Sequence, residues 1–209
     1  MVSALAKPNW LLCFLPGLVL TMLFDSGLRR RPWAWCAAGA AFLSGLSVLA
    51  WQYVFLYGHQ PDANHIVFTP QKWLFTYGWL APAKLILSIT FPAAVLLLFW
   101  SDLRKSLLLR LAWSTFGASL LIAYGFSETG QRAGDDNLGW SAQIALFVLF
   151  VASAIAMVGV LRHQAATAQG RAMRFRRDLA VAIFLLHVVG GLTGYATYSI
   201  DRGLNMAWY

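Results

Sequence analysis

The chain has 209 residues, of which 59% are hydrophobic and 11% charged, with ten Trp and a formal net charge of +8. That much apolar surface exceeds what one soluble domain of this size can enclose, so an ordinary water-soluble fold is excluded. The positive charge is confined to a few short links instead of lying along one continuous face, which excludes a nucleic-acid partner.

In chain order, apolar runs predict six transmembrane helices at about 9–24, 33–57, 73–100, 107–126, 140–161 and 179–198. The expected fold is therefore all-α, a single polytopic membrane domain in the inner membrane. The first span is short for a hydrocarbon core about 30 Å thick. It lacks a basic leader and a small-residue cleavage pattern and is followed at once by Arg29, Arg30 and Arg31, so it reads as a retained anchor. The third span is long enough to tilt, and Pro82 and Pro92 favour a bend within it. Trp10, Trp33, Trp73, Trp100 and Trp140 fall near span ends, where an indole keeps its ring in lipid and its N–H among headgroups.

Charge assigns the sides. The links at 25–32, 101–110 (the loop proper being 101–106) and 162–178 hold eleven basic residues against Asp25, Asp102 and Asp178. The N-terminus, the loops 58–72 and 127–139 and the C-terminal tail hold four basic residues against five acidic ones. By the positive-inside rule the first set is cytoplasmic, and both termini face the outer, periplasmic side. The link 162–178 reads as a loop with helical character whose arginines are placed to rest against anionic headgroups. Small residues at four-residue spacing, Ala37, Ala41 and Gly45 in the second span and Gly190 and Gly194 in the sixth, predict close helix contacts.

The residue most informative about function is Lys84, the one basic side chain inside a span. An ammonium in hydrocarbon costs at least a few kcal/mol and usually marks a function or a specific partner. With the third span entering near Phe75, nine residues at about 1.5 Å each put Lys84 roughly 14 Å deep, near midplane. All eight acids lie in loops or at span ends. The partner of Lys84 is then Glu128 folding inward, backbone carbonyls freed by the prolines, or a bound anion.

Gln52 and Tyr53 lie a turn inside the second span, Tyr77 near the start of the third and Gln143 a turn inside the fifth. Together they outline an outward-opening recess. The loop 127–139 above it carries glycines for tight turns, with Glu128, Arg132, Asp135, Asp136 and Asn137 for polar contacts. His59, Asp62 and His65 in loop 58–72 invite a metal reading, but Pro61, the absence of helical spacing and the lack of a third ligand leave no metal assigned. His187, the one histidine deep in a span, has no second deep histidine for haem ligation and is expected to hydrogen-bond a neighbouring helix. No cofactor is expected.

The sixth-span string H187-V-V-G-G and the fourth-span string G117-A-S119 resemble the His-Gly-Gly and Gly-x-Ser-Gly helices of rhomboid intramembrane proteases. That resemblance implies a Ser119–His187 hydrolase. Leu120 stands where the motif requires glycine and no His-rich second span exists, so no family follows from it.

The expected function is binding, and transfer across or within the bilayer, of a small anionic or amphiphilic solute, a lipid or lipid-linked group. Lys84 neutralises the anion, Gln52 and Gln143 orient it, and Arg132 with Glu128 closes or gates the mouth, with Asp136, Tyr53 and Tyr77 completing the binding residues. Two other classes fit the same sequence. One is a membrane-embedded enzyme acting on a lipid headgroup or lipid-linked sugar, with Glu128, Asp135, Asp136 or His65 as acid or base. The other is an accessory subunit offering its helices to a membrane-protein partner or a second copy.

Overall fold

Long apolar stretches without water must satisfy their own backbone polar groups, and helices do this within each segment. The computed structural model of the chain describes residues 9–57, 65–70, 81–129, 137–165 and 170–206, and nearly all of them are helical. The order is α1 (Asn9–Phe24), α2 (Ser26–Arg29), α3 (Pro32–Tyr57), β1 (Ile66–Phe68), α4 (Ala81–Leu98), α5 (Trp100–Leu103), α6 (Leu107–Gly125), β2 (Phe126–Glu128), α7 (Asn137–Ala165) and α8 (Arg171–Met206). Within these helices Pro32–Phe55, Leu107–Gly125, Leu138–His163 and Arg171–Gly194 are long and apolar enough to cross a membrane, while Trp10–Phe24 and Pro82–Leu98 are shorter apolar helices. Large apolar side chains such as Leu43, Phe55, Leu97, Leu121, Phe147 and Leu186 point outward from the bundle. An exterior of that kind suits lipid and would aggregate in water. The chain is a multi-pass membrane protein.

Short α1 sits among α3, α6 and α7, and α6 packs along α7. On the other flank of α7 lies α4, which in turn carries α8. Among the described glycines the tightest approach is at Gly17, between α1 and α6. A Cβ built on Gly17 would lie 2.5 Å from Cα and Oγ1 of Thr115 and 2.7 Å from its backbone nitrogen, so only glycine fits. Gly45 of α3 likewise meets Leu15 and Leu11 of α1, at 3.0 Å and 3.4 Å from its built Cβ. The expected small-residue seams therefore shift. Ala37 and Ala41 are exposed, the buried face of α3 running through Ala34, Gly45 and Gln52, and Gly190 and Gly194 have nothing within 4 Å of a built Cβ.

The core that fixes α4 against α7 and α8 is aromatic. Phe91 lies 4.7 Å from Phe150 and 5.1 Å from Phe184 between ring centroids, and Phe150 stacks on Phe184 at 5.8 Å, geometries that add to simple area burial. Several helix hydroxyls are satisfied locally: Thr21 donates to the Gly17 carbonyl, Ser88 to Lys84, Ser153 to Leu149 and Thr193 to Val189, whereas the enclosed hydroxyls of Thr115 and Ser141 find no partner among the described residues. Such local donation is how a helix carries Ser and Thr in lipid without a partner helix.

Polar links gather at two ends. At one, β1 and β2 form an antiparallel pair with Ile66 opposite Glu128, Val67 opposite Ser127 and Phe68 opposite Phe126. Thr69 and Ser127 hydroxyls meet at 2.7 Å, and the Thr129 backbone N–H donates to the His65 carbonyl. The loops 58–72 and 127–139, grouped by charge, are thus joined in space by a clip that no sequence pattern announced. At the opposite end Asp25 pairs with Arg110 at 2.7 Å, tying together two of the arginine-bearing links. The third link is shorter than expected, because α7 runs to Ala165 and α8 begins at Arg171. Arg174, Arg176 and Arg177 stand exposed on α8.

Candidate functional site

The helices α4 and α6 each pack on α7 and scarcely on each other, and between them a separate cavity lies toward each end of the bundle. The cavity at the strand end has a volume of about 190 Å³. Its rim is set by Lys84 in the first turn of α4, Tyr124 in the last turn of α6 and Gly139 in the first turn of α7. Gln143 lies one turn further in along α7, and Ser88 one turn further in along α4. Below them the walls are apolar, with Leu85, Phe116, Leu120 and Leu146. The arrangement is amphiphilic, with a cation and amide at the mouth and hydrocarbon beneath.

Lys84 is exposed, and among the described residues no carboxylate pairs with its ammonium; the ion pairs there are Asp25–Arg110 and Arg177–Asp178. Its level with Tyr124 and Gly139 sets it nearer the end of the bundle than the midplane depth obtained by counting from Phe75. The remaining fourteen residues of α4, to Leu98, span about 21 Å. Glu128, buried on β2 opposite Ile66, is not joined to Lys84.

Of the other sequence candidates, Gln143 lines the cavity with Lys84, whereas Gln52 and Tyr53 do not. Both sit on α3, whose partner is α1: Gln52 is buried and Tyr53 is 60% exposed. Tyr77, Arg132, Asp135, Asp136, His59 and Asp62 lie outside the described residues. His65 sits at the start of β1, its backbone bonded to Thr129. Sequence reasoning missed Tyr124 and Ser88; four-residue spacing from Lys84 on a helix would have found Ser88, while Tyr124 depends on how α6 is rotated.

The Ser119–His187 pairing does not form. Ser119 is fully buried in α6 and donates to the Phe116 carbonyl of its own helix at 2.6 Å, while α8, which bears His187, packs on α4. The His187 ring lies 5.0 Å from Phe150, an aromatic contact in place of the interhelical hydrogen bond expected. Comparison with models of known families, with curated proteins and with solved structures finds no match to this chain.

Proposed function

We propose that the chain is an inner-membrane protein of six spans with both termini on the outer side, and that it holds an anionic amphiphile in the cavity between α4, α6 and α7. The carrying observation is the convergence of Lys84 and Gln143 on one cavity whose depth is apolar. Lys84 neutralises the anion and Gln143 orients it by hydrogen bonding, while the apolar walls take the hydrocarbon portion. In this reading Arg132 with Glu128 closes the mouth, Asp136 belongs to the same polar set, and passage of the bound group across or within the bilayer is the transfer step. The clustering of the charge-sorted links at opposite ends of the bundle supports the six-span, termini-out arrangement.

The test is thermal stabilisation of the purified protein by an anionic short-chain phospholipid. Lys84→Met is expected to abolish the stabilisation and Gln143→Leu to weaken it, with melting of the ligand-free protein unchanged. Full stabilisation of the Lys84→Met protein would remove the assignment. A second reading, an accessory subunit, is favoured by the open glycine face of α8 at Gly190, Gly191 and Gly194. Co-purification of one stoichiometric partner, lost on Gly190→Leu, would support it.

A further inference from the structure

The cavity toward the arginine-bearing end has a volume of about 300 Å³ and is bounded by α1, α4, α5 and α6. Along α6 its lining ends at Trp113 and Ser114, and that of the strand-end cavity begins at Phe116. Only Thr115 falls between them in sequence, and it faces α1 at Gly17. The two cavities are therefore divided on α6 by one aromatic pair: the Trp113 and Phe116 rings meet edge to face with centroids 6.2 Å apart, Trp113 lining one cavity and Phe116 the other. Phe116 is buried and stands nine residues from either end of α6, about 14 Å along the helix, at the middle of the span.

On α4 the interval runs from Ser88, in the strand-end lining, to Leu96, in the other. It contains Pro92, whose side chain is fully buried. Proline offers no N–H to the carbonyl four residues earlier and its ring crowds that carbonyl, so the Ser88 carbonyl lacks its helical donor and α4 is softest between the two cavities. Beside it Phe91 is held by Phe150 and Phe184, which supplies a fixed point. Since α4 and α6 scarcely pack on each other, a bend of α4 about that point changes their separation without dismantling a helix interface.

We infer, building on the proposed binding and transfer of an anionic amphiphile, that the Trp113–Phe116 pair is the partition that closes a path between the two cavities, and that bending of α4 at Pro92 opens it. With the partition closed, a group bound at Lys84 communicates with the strand-end face alone. Parting of α4 from α6 at the level of the two rings joins the cavities into one passage.

The experiment is substituted-cysteine accessibility on the full chain in proteoliposomes, in a Cys36→Ser background; the remaining Cys13 is fully buried and inert. Ser88→Cys reports the strand-end cavity and Ser114→Cys the other, each challenged with a membrane-impermeant methanethiosulfonate from one face at a time. Each cysteine is expected to react from its own face, and an open form populated at no more than about 10% makes reaction from the opposite face at least about tenfold slower. Phe116→Leu and Trp113→Leu, made separately, are expected to raise the opposite-face rates several-fold, and Pro92→Ala, which restores a donor for the Ser88 carbonyl, to lower them. Equal rates from both faces in the parent, no reaction from either face, or parental opposite-face rates in both leucine variants would overturn the partition. An unchanged rate in Pro92→Ala would overturn the hinge. These rates require no bound lipid, so failure of the Lys84 site shows separately, as anionic phospholipid that stabilises the parent and Lys84→Met proteins equally.

Discussion

Replacing Gly17 by alanine tests the bundle at its tightest glycine contact. The added methyl would sit 2.5 Å from Cα and Oγ1 and 2.7 Å from the nitrogen of Thr115, about 1 Å inside ordinary van der Waals contact. Two of those three atoms are backbone, so no rotamer change relieves the clash and α1 must move off α6. Overpacking of this kind costs about 1–3 kcal/mol, and alanine returns up to about 1 kcal/mol through helix propensity. At the middle of that cost range the net loss is about 1 kcal/mol, which corresponds to a fall in melting temperature of roughly 2–4 °C for a chain of this size. Thermal unfolding in detergent measures it, with Gly190→Ala, which meets nothing within 4 Å, as the control expected to be neutral or slightly stabilising. Thr115→Ala combined with Gly17→Ala should recover little, because the backbone contacts persist. A Gly17→Ala protein as stable as the parent, or full rescue by Thr115→Ala, would refute the crossing.

Three further outcomes follow from the geometry. Asp25→Asn keeps an oxygen for the Gly27 and Leu28 N–H groups and loses only the charge opposite Arg110, whereas Asp25→Ala loses both; thermal unfolding should rank Ala as the worse by about 1 kcal/mol, and equal effects would deny the cap. Cysteines at Val67 and Ser127, directly opposed across the strand pair, should form a disulfide without added oxidant if this end faces an oxidising compartment, read as a reductant-sensitive mobility shift in Cys36→Ser protein; their staying reduced in cells would contradict the termini-out arrangement. Phe150→Ala removes the ring that joins Phe91, Phe184 and His187 and is expected to cost about 3–5 kcal/mol; a loss below 1 kcal/mol would show that α8 is not held there.

Helix positions were legible because hydropathy records what each segment must exclude, and the ends of α1, α3 and α6 fall within a residue of the apolar runs. Charge grouped loops 58–72 and 127–139 together, and the β1–β2 clip joins them. The clip itself was illegible: two three-residue strands pair through long-range backbone bonds that need no distinctive side chains. The helix seams were legible only in kind. A four-residue spacing marks a face without saying where it points, so Gly45 meets α1 while Gly190 and Gly194 stay open, and the tightest glycine contact falls at Gly17, in a Cys13–Gly17–Thr21 series that the sequence reading passed over. At the site, Lys84 and Gln143 were recognised as polar groups that an apolar span does not need. Gln52 shared that signature, yet α3 docks on α1 and turns it away from the cavity.

On this reading an anionic amphiphile occupies the cavity between α4, α6 and α7. An experimental density map of the protein in nanodiscs containing anionic phospholipid tests it most directly. Elongated non-protein density is expected, with its head within about 4 Å of the Lys84 ammonium and its tail along Phe116 and Leu146. A cavity closed by side chains, or density that leaves Lys84 untouched, would contradict it.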